Sequence, residues 1–233
     1  MISECWDGLL NDIYGKHVKK EHVFEAIDNA KSGLIEQGSV GAGTGMKSFG
    51  FKAGIGSASR VFEINDKKYT VGVLLNNNIG NEIENHNYLR INGKNIGEIV
   101  KQDGKTTIDR TEQTHQSSTI IVIATDLPLS GNQLNRLSKK AVLAMGRLGC
   151  ISYTDSGDFI LSFSTANKIP KRWSGKEWQM SVMEETSLNV LFEATVEAVE
   201  EAFINSLFTA ETMIGFKGNT MEALPVEKIL KLK

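Results

Sequence analysis

The 233 residues carry 26 basic and 28 acidic side chains, a formal charge of -2 and a pI near 6.1. Without a basic surplus a nucleic-acid role is disfavoured. A composition of 40% hydrophobic and 23% charged residues is that of a globular chain with a sizeable core. No linker-like stretch divides it, so residues 1–233 read as a single domain. The opening Met1-Ile-Ser-Glu-Cys-Trp-Asp7 lacks the apolar core of a signal peptide, and the longest apolar run, 119–125, is far too short to span a bilayer. Cys5 and Cys150 form no CxxC or Cys/His metal spacing, so free thiols and a cytoplasmic location are expected.

Taken along the chain, Val23, Ala26, Ile27, Ala30 and Leu34 recur at helical spacing and predict an amphipathic helix over 19–36. Eight of the 22 glycines then fall between positions 33 and 56, a stretch that needs unusual backbone angles or close backbone approach. Runs at 59–64 and 69–75 read as strands, joined by a hairpin turn at Asn65-Asp-Lys-Lys68. A polar region follows, interrupted by a small hairpin over 89–97. The loop Thr111-Glu-Gln-Thr-His-Gln-Ser-Ser118 runs straight into the apolar strand Thr119-Ile-Ile-Val-Ile-Ala124. Leu134, Leu137, Ala141, Val142, Met145 and Leu148 form a helical stripe closed by Gly149. A strand at 159–163 and a helix over 186–209 complete the pattern, an α+β layered domain with helices on sheet faces.

Several chemistries are disfavoured by spacing. Gly41-x-Gly43-x-Gly45 is not GxGxxG, no GxxxxGK[ST] occurs, and the glycines lead into strands rather than the helix a phosphate loop needs. His17, His22, His86 and His115 give no HExxH or other paired ligands, so no metal is expected. No GxSxG elbow is present. The junction at Ser118 is more suggestive. A cut before it would create one residue with a nucleophilic hydroxyl and a free α-amine, whose pKa of roughly 7.7–8.0 suits a base near neutral pH. Asn78 reads either as a turn residue or as an amide donor for developing negative charge. Ser156-Gly-Asp158 reads either as a turn or as a hydroxyl and carboxylate held at a strand start.

These pieces resemble the self-cleaving serine aminopeptidases of the L-aminopeptidase/D-esterase family, which includes the β-aminopeptidases. The segments that carry the resemblance begin with Trp6-Asp-Gly-Leu-Leu-Asn-Asp-Ile13, Gly38-Ser-Val-Gly-Ala-Gly-Thr-Gly-Met46 and Gly50-Phe-Lys-Ala-Gly-Ile-Gly-Ser-Ala-Ser-Arg60. They continue through Val71-Gly-Val-Leu, Ser118 to Leu129, Ser156-Gly-Asp158 and Phe163-Ser-Thr-Ala-Asn167, and end with Ala210-Glu-Thr-Met-Ile-Gly215 and Ala223-Leu-Pro225.

The resemblance implies a four-layer αββα sandwich, incomplete here at the N-terminus because the chain begins part-way through the family's length. It implies scission between Ser117 and Ser118 into residues 1–117 and 118–233, with Ser118 as N-terminal nucleophile. Asn78 matches the oxyanion amide, and Ser156 and Asp158 match the groups that polarise and orient the nucleophile. Glu4 falls where a buried carboxylate meets the substrate's free amine. The implied substrates are small peptides, amides or esters with a free amine; homo-oligomers of cleaved pairs are implied, and no cofactor. The sequence departs from the family at Trp6, where some relatives use Tyr near the oxyanion, and at Ser117, often Gly or Asn. Two other readings stay open: an acyltransferase like the ornithine acetyltransferases, with Thr119 as nucleophile, and an inactive homologue that acts only in assembly.

Overall fold

The structure, a computed structural model, describes residues 3–79, 85–100, 117–154, 156–171, 175 and 177–231. The polar loop that ends in Gln116, with His115, and the side chain of His86 lie outside them. The periodicity at 19–36 yields a helix only over α1 (Lys20–Asp28), capped by Asn29. Its apolar side chains Val23, Phe24 and Ile27 are all exposed, and Gly33 at φ 118° sits beyond its end. A short hairpin follows, β1 (Lys47–Ser48) and β2 (Phe51–Lys52), then β3 (Ile55–Ile64) and β4 (Lys67–Asn78). The hairpin turn expected over Asn65–Lys68 is tighter, two residues long, with Asn65 and Asp66 both at positive φ, as right-twisted hairpins require. Both strands run further than their apolar residues predict.

After β5 (Arg90–Ile91), β6 (Lys94–Asn95) and α2 (Ile96–Ile99) comes β7 (Ser117–Thr125). Next is α3 (Gly131–Arg147), opened by a reciprocal cap in which Gln133 N–H donates to Ser130 Oγ and Ser130 N–H to Gln133 Oε1. Gly149, at φ 95°, ends that helix as its position predicts. The remaining elements are β8 (Ser156–Ser164), α4 (Leu188–Phe208), β9 (Met213–Ile214), β10 (Thr220–Met221) and α5 (Val226–Leu230). No described helix is long and apolar enough to cross a membrane.

The main sheet has the order β3-β4-β7-β8. The first three strands are antiparallel; β7 and β8 are parallel, joined through α3. Because side chains alternate, each strand sends one set to each face. Val71, Val73, Leu75, Ile121 and Ile123 fill one face and are buried beneath α3 and α4. Gly56 is required there, since a Cβ on it would lie 1.9 Å from the Ala202 carbonyl oxygen of α4. Arg60 extends the same contact, pairing with Glu197 and Glu201 of α4. On the opposite face Val61, Leu74, Phe159, Leu161 and Phe163 are exposed. The described residues therefore supply one four-stranded sheet and a helical layer of an α and β sandwich.

Candidate active site

The site forms at one end of the sheet, where β4 finishes and β7 begins. The ladder pairs Asn78 with Ser118, and β8 places Gly157 on the other side of Ser118. Asn78, Ser118 and Gly157 therefore share a face, the one not covered by helices. Asn78 is buried and its amide is fully committed. Its Oδ1 accepts from Lys47 N–H (3.2 Å), while Nδ2 donates to the Trp6 carbonyl (2.8 Å) and, over a longer 3.4 Å, to Ser118 Oγ. The amide is thus held from β1 and from the N-terminal segment, and points at the hydroxyl.

That N-terminal segment crosses the sheet end as a strap. Cys5 Sγ lies 3.8 Å from the Ser118 carbonyl oxygen and 4.0 Å from that of Asn76, and burial pushes its thiol above the ordinary value. The strap is anchored by the C-terminal segment: Phe216 N–H donates to Leu10 O (2.7 Å) and Asn219 Nδ2 to Leu9 O (2.8 Å). Trp6 contributes its carbonyl to the site, while its indole folds against Gly8. Glu4 corrects the expectation of a buried carboxylate. It is exposed.

Ser156 and Asp158 flank the Ser118 position in the β7–β8 ladder. In the parallel register they pair with Ser117 and Thr119, so their side chains lie on the helix-covered face, opposite the Ser118 hydroxyl. Ser117 Oγ and Ser156 Oγ are 2.7 Å apart, and Ser156 Oγ donates to Asp158 Oδ1 at 2.9 Å. The pair therefore engages Ser117, the residue before Ser118. Asp158 Oδ2 and Thr119 Oγ1 are buried without a hydrogen-bond partner. Thr119 sits one position from Ser118 and so faces the other way.

Two residues that the sequence reading did not single out support this end of the sheet. Lys47 and Lys52 pair across the β1–β2 hairpin and are both buried, which lowers each ammonium pKa from 10.5 to about 8. Lys52 Nζ donates to the carbonyls of Gly43 (3.0 Å) and Ala53 (2.6 Å). The glycine-rich stretch thus supplies a cradle for a cation and close packing, not a phosphate loop. Among the described residues no group of three or more His, Cys, Asp and Glu side chains is placed to hold a metal.

Beside Ser117 lies a shallow open recess, walled by Phe49, Ile79, Tyr88, Ile151 and Tyr153.

Residues 1–221 match peptidase family S58. The chain belongs to that family. It is 41% identical over 234 residues to a β-peptidyl aminopeptidase of Sphingosinicella microcystinivorans, covering 97% of this chain and 58% of that protein. It superimposes on a Burkholderia sp. β-aminopeptidase with TM-score 0.86 at 34% identity, covering 97% of this chain and 62% of the other. It matches the L-aminopeptidase D-Ala-esterase/amidase of Ochrobactrum anthropi with TM-score 0.84 at 35% identity, over 96% and 59% of the two chains. That structure is described as a prototype for the serine aminopeptidases and a new variant among the Ntn hydrolase fold. The chain spans about three fifths of the length of these relatives.

Proposed function

We propose that this chain is a self-processing serine aminopeptidase in which Ser118 is the N-terminal nucleophile. The observation that carries the reading is the Asn78 amide, fixed by Lys47 N–H and the Trp6 carbonyl and aimed at Ser118 Oγ where β7 begins. In the precursor, Ser118 Oγ attacks the Ser117 carbonyl carbon and the nitrogen of Ser118 leaves as an amine, giving an ester. Water hydrolyses that ester, so Ser117 ends in a carboxylate and Ser118 carries a hydroxyl and an α-amine. Asn78 Nδ2 donates to the oxyanion formed on attack.

In turnover the α-amine takes the proton from Ser118 Oγ as it attacks an aminoacyl carbonyl, and passes it to the departing amine; water then clears the acyl-enzyme. Once Ser117 detaches, Ser156 Oγ loses its 2.7 Å partner and is left beside the new ammonium, with Asp158 behind it. That is how a pair on the opposite face from the hydroxyl serves the nucleophile: through its amine. Exposed Glu4, on the strap, receives the free ammonium of small peptides, amides or esters. The working unit is the pair 1–117 and 118–233, associated into homo-oligomers. Thr119 is a poor candidate for the acyltransferase nucleophile, because its hydroxyl is buried on the other face.

Intact-mass analysis of the purified chain tests this reading. Two pieces matching 1–117 and 118–233 are expected, a single uncut mass for Ser118→Ala, and hydrolysis of β-alanyl p-nitroanilide by the cut form alone. A folded, unsubstituted chain that stays whole and inert excludes it, and leaves the assembly-only alternative.

A further inference from the structure

We propose that the Ser117 side chain is a positioning residue for self-scission: its hydroxyl, donating to Ser156 Oγ, fixes the residue whose carbonyl Ser118 attacks. The inference rests on the self-processing reading given above. There Ser118 Oγ bonds to the Ser117 carbonyl carbon as that carbon parts from the Ser118 nitrogen, and the hydroxyl proton goes to the departing nitrogen. The attacked carbonyl must therefore be held in line with Ser118 Oγ before any charge develops.

The ladders leave that task to one side of the sheet. Pairing of β7 with β4 ends at Ser118 and Asn78, whereas pairing with β8 runs one residue further, to Ser117 and Ser156. Asn78 thus secures the attacking hydroxyl, and the residue under attack is secured from β8. The direction of the bonds follows from proton count. Ser156 Oγ gives its single proton to Asp158 Oδ1 at 2.9 Å, so Ser117 is the donor across the 2.7 Å contact. The order is Ser117 to Ser156 to Asp158, and a chain of hydroxyls that ends on a carboxylate is stronger than an isolated pair. Ser117 is 5% exposed, so water competes little for its hydroxyl. With Oγ anchored on β8 and the backbone in the ladder, a rotation that swings the Ser117 carbonyl away from Ser118 Oγ has to break that contact. Scission itself ends the bond. Its effect is therefore confined to the precursor, while Ser156 and Asp158 go on to face the new amine.

The test uses the full chain, refolded as precursor and followed by intact mass, with each rate corrected for the folded fraction. Ser117→Thr and Ser117→Val share a shape and differ in the hydroxyl. The threonine variant is expected to sever itself within about threefold of the unsubstituted rate, and the valine variant about ten- to a hundredfold more slowly. Ser117→Ala, smaller than serine, fits the same space and should be as slow as the valine variant. Adding Ser117→Val to Ser156→Ala should slow scission no further, since both break one chain of bonds. In the fully cut form, kcat/KM for β-alanyl p-nitroanilide should fall in Ser156→Ala and show none of the scission defect of Ser117→Val. Threonine and valine variants that sever at one rate, or a double variant whose losses add in full, overturn the positioning role and leave the self-processing reading standing. An unsubstituted chain that folds and never severs overturns both.

Discussion

Replacing Asn78 by Ala separates the structural from the chemical work of one side chain. Asn78 is 1% exposed and closes three hydrogen bonds, so truncation strands the Lys47 N–H and the Trp6 carbonyl in a buried place. At about 1–3 kcal/mol for each orphaned group, unfolding free energy should fall by about 2–6 kcal/mol. The third bond, to Ser118 Oγ, is long at 3.4 Å and contributes little to the resting state. It shortens onto an oxyanion only as charge develops, so its loss falls on the rate, by about 10²–10³. Asn78→Asp should keep the bond from Lys47 N–H but set a carboxylate oxygen against the Trp6 carbonyl and against the developing charge, and should be at least as slow. Freshly refolded precursors followed by intact mass give the scission rate, and urea titration of the same samples gives the folded fraction by which each rate is corrected. A folded Asn78→Ala chain that severs itself at the unsubstituted rate refutes the assignment of the oxyanion donor.

Three further outcomes follow from the packing. Thr119→Val removes a buried hydroxyl with no partner and should raise stability by about 1 kcal/mol, read from the urea midpoint, while the new N-terminus remains Ser118. A chain that instead depends on Thr119 for scission supports the acyltransferase alternative. Gly56→Ala forces β3 away from α4 and should cost about 1–3 kcal/mol in the same titration. Lys47 and Lys52 titrate near pH 8 in the folded chain and near 10.5 when unfolded, so the unfolded state binds more protons between those values. Stability should therefore rise with pH across that window, by up to about 2 kcal/mol per lysine at pH 9.5. Lys47→Met should flatten that rise.

The apolar runs fixed the four long strands and α3 and α4 in the sequence, because periods of two and near four are local properties. The β3–β4 turn was equally legible from Asn65-Asp66. The β1–β2 hairpin was not, since Lys47 and Lys52 look like surface residues and become buried only when β1 and β2 pack under the glycine-rich loop. At 19–36 the helical period was present, but α1 has nothing to pack against among the described residues, so periodicity did not translate into burial. The face on which Ser156 and Asp158 sit was not legible. Which face a strand residue takes relative to its neighbour depends on the β7–β8 register, and nothing within either strand states it. The exposure of Glu4 was not legible either.

The junction before Ser118 lies at the mouth of the seam that joins β4 to β7. Residues 71–78 on one side of the break are stitched to 118–125 on the other, pair by pair, from Val71 with Thr125 to Asn78 with Ser118. The helix α4, downstream of the break, lies across β3 and β4, which are upstream. A nick there would free an end without freeing a chain, and the severed halves should travel together until the fold itself melts.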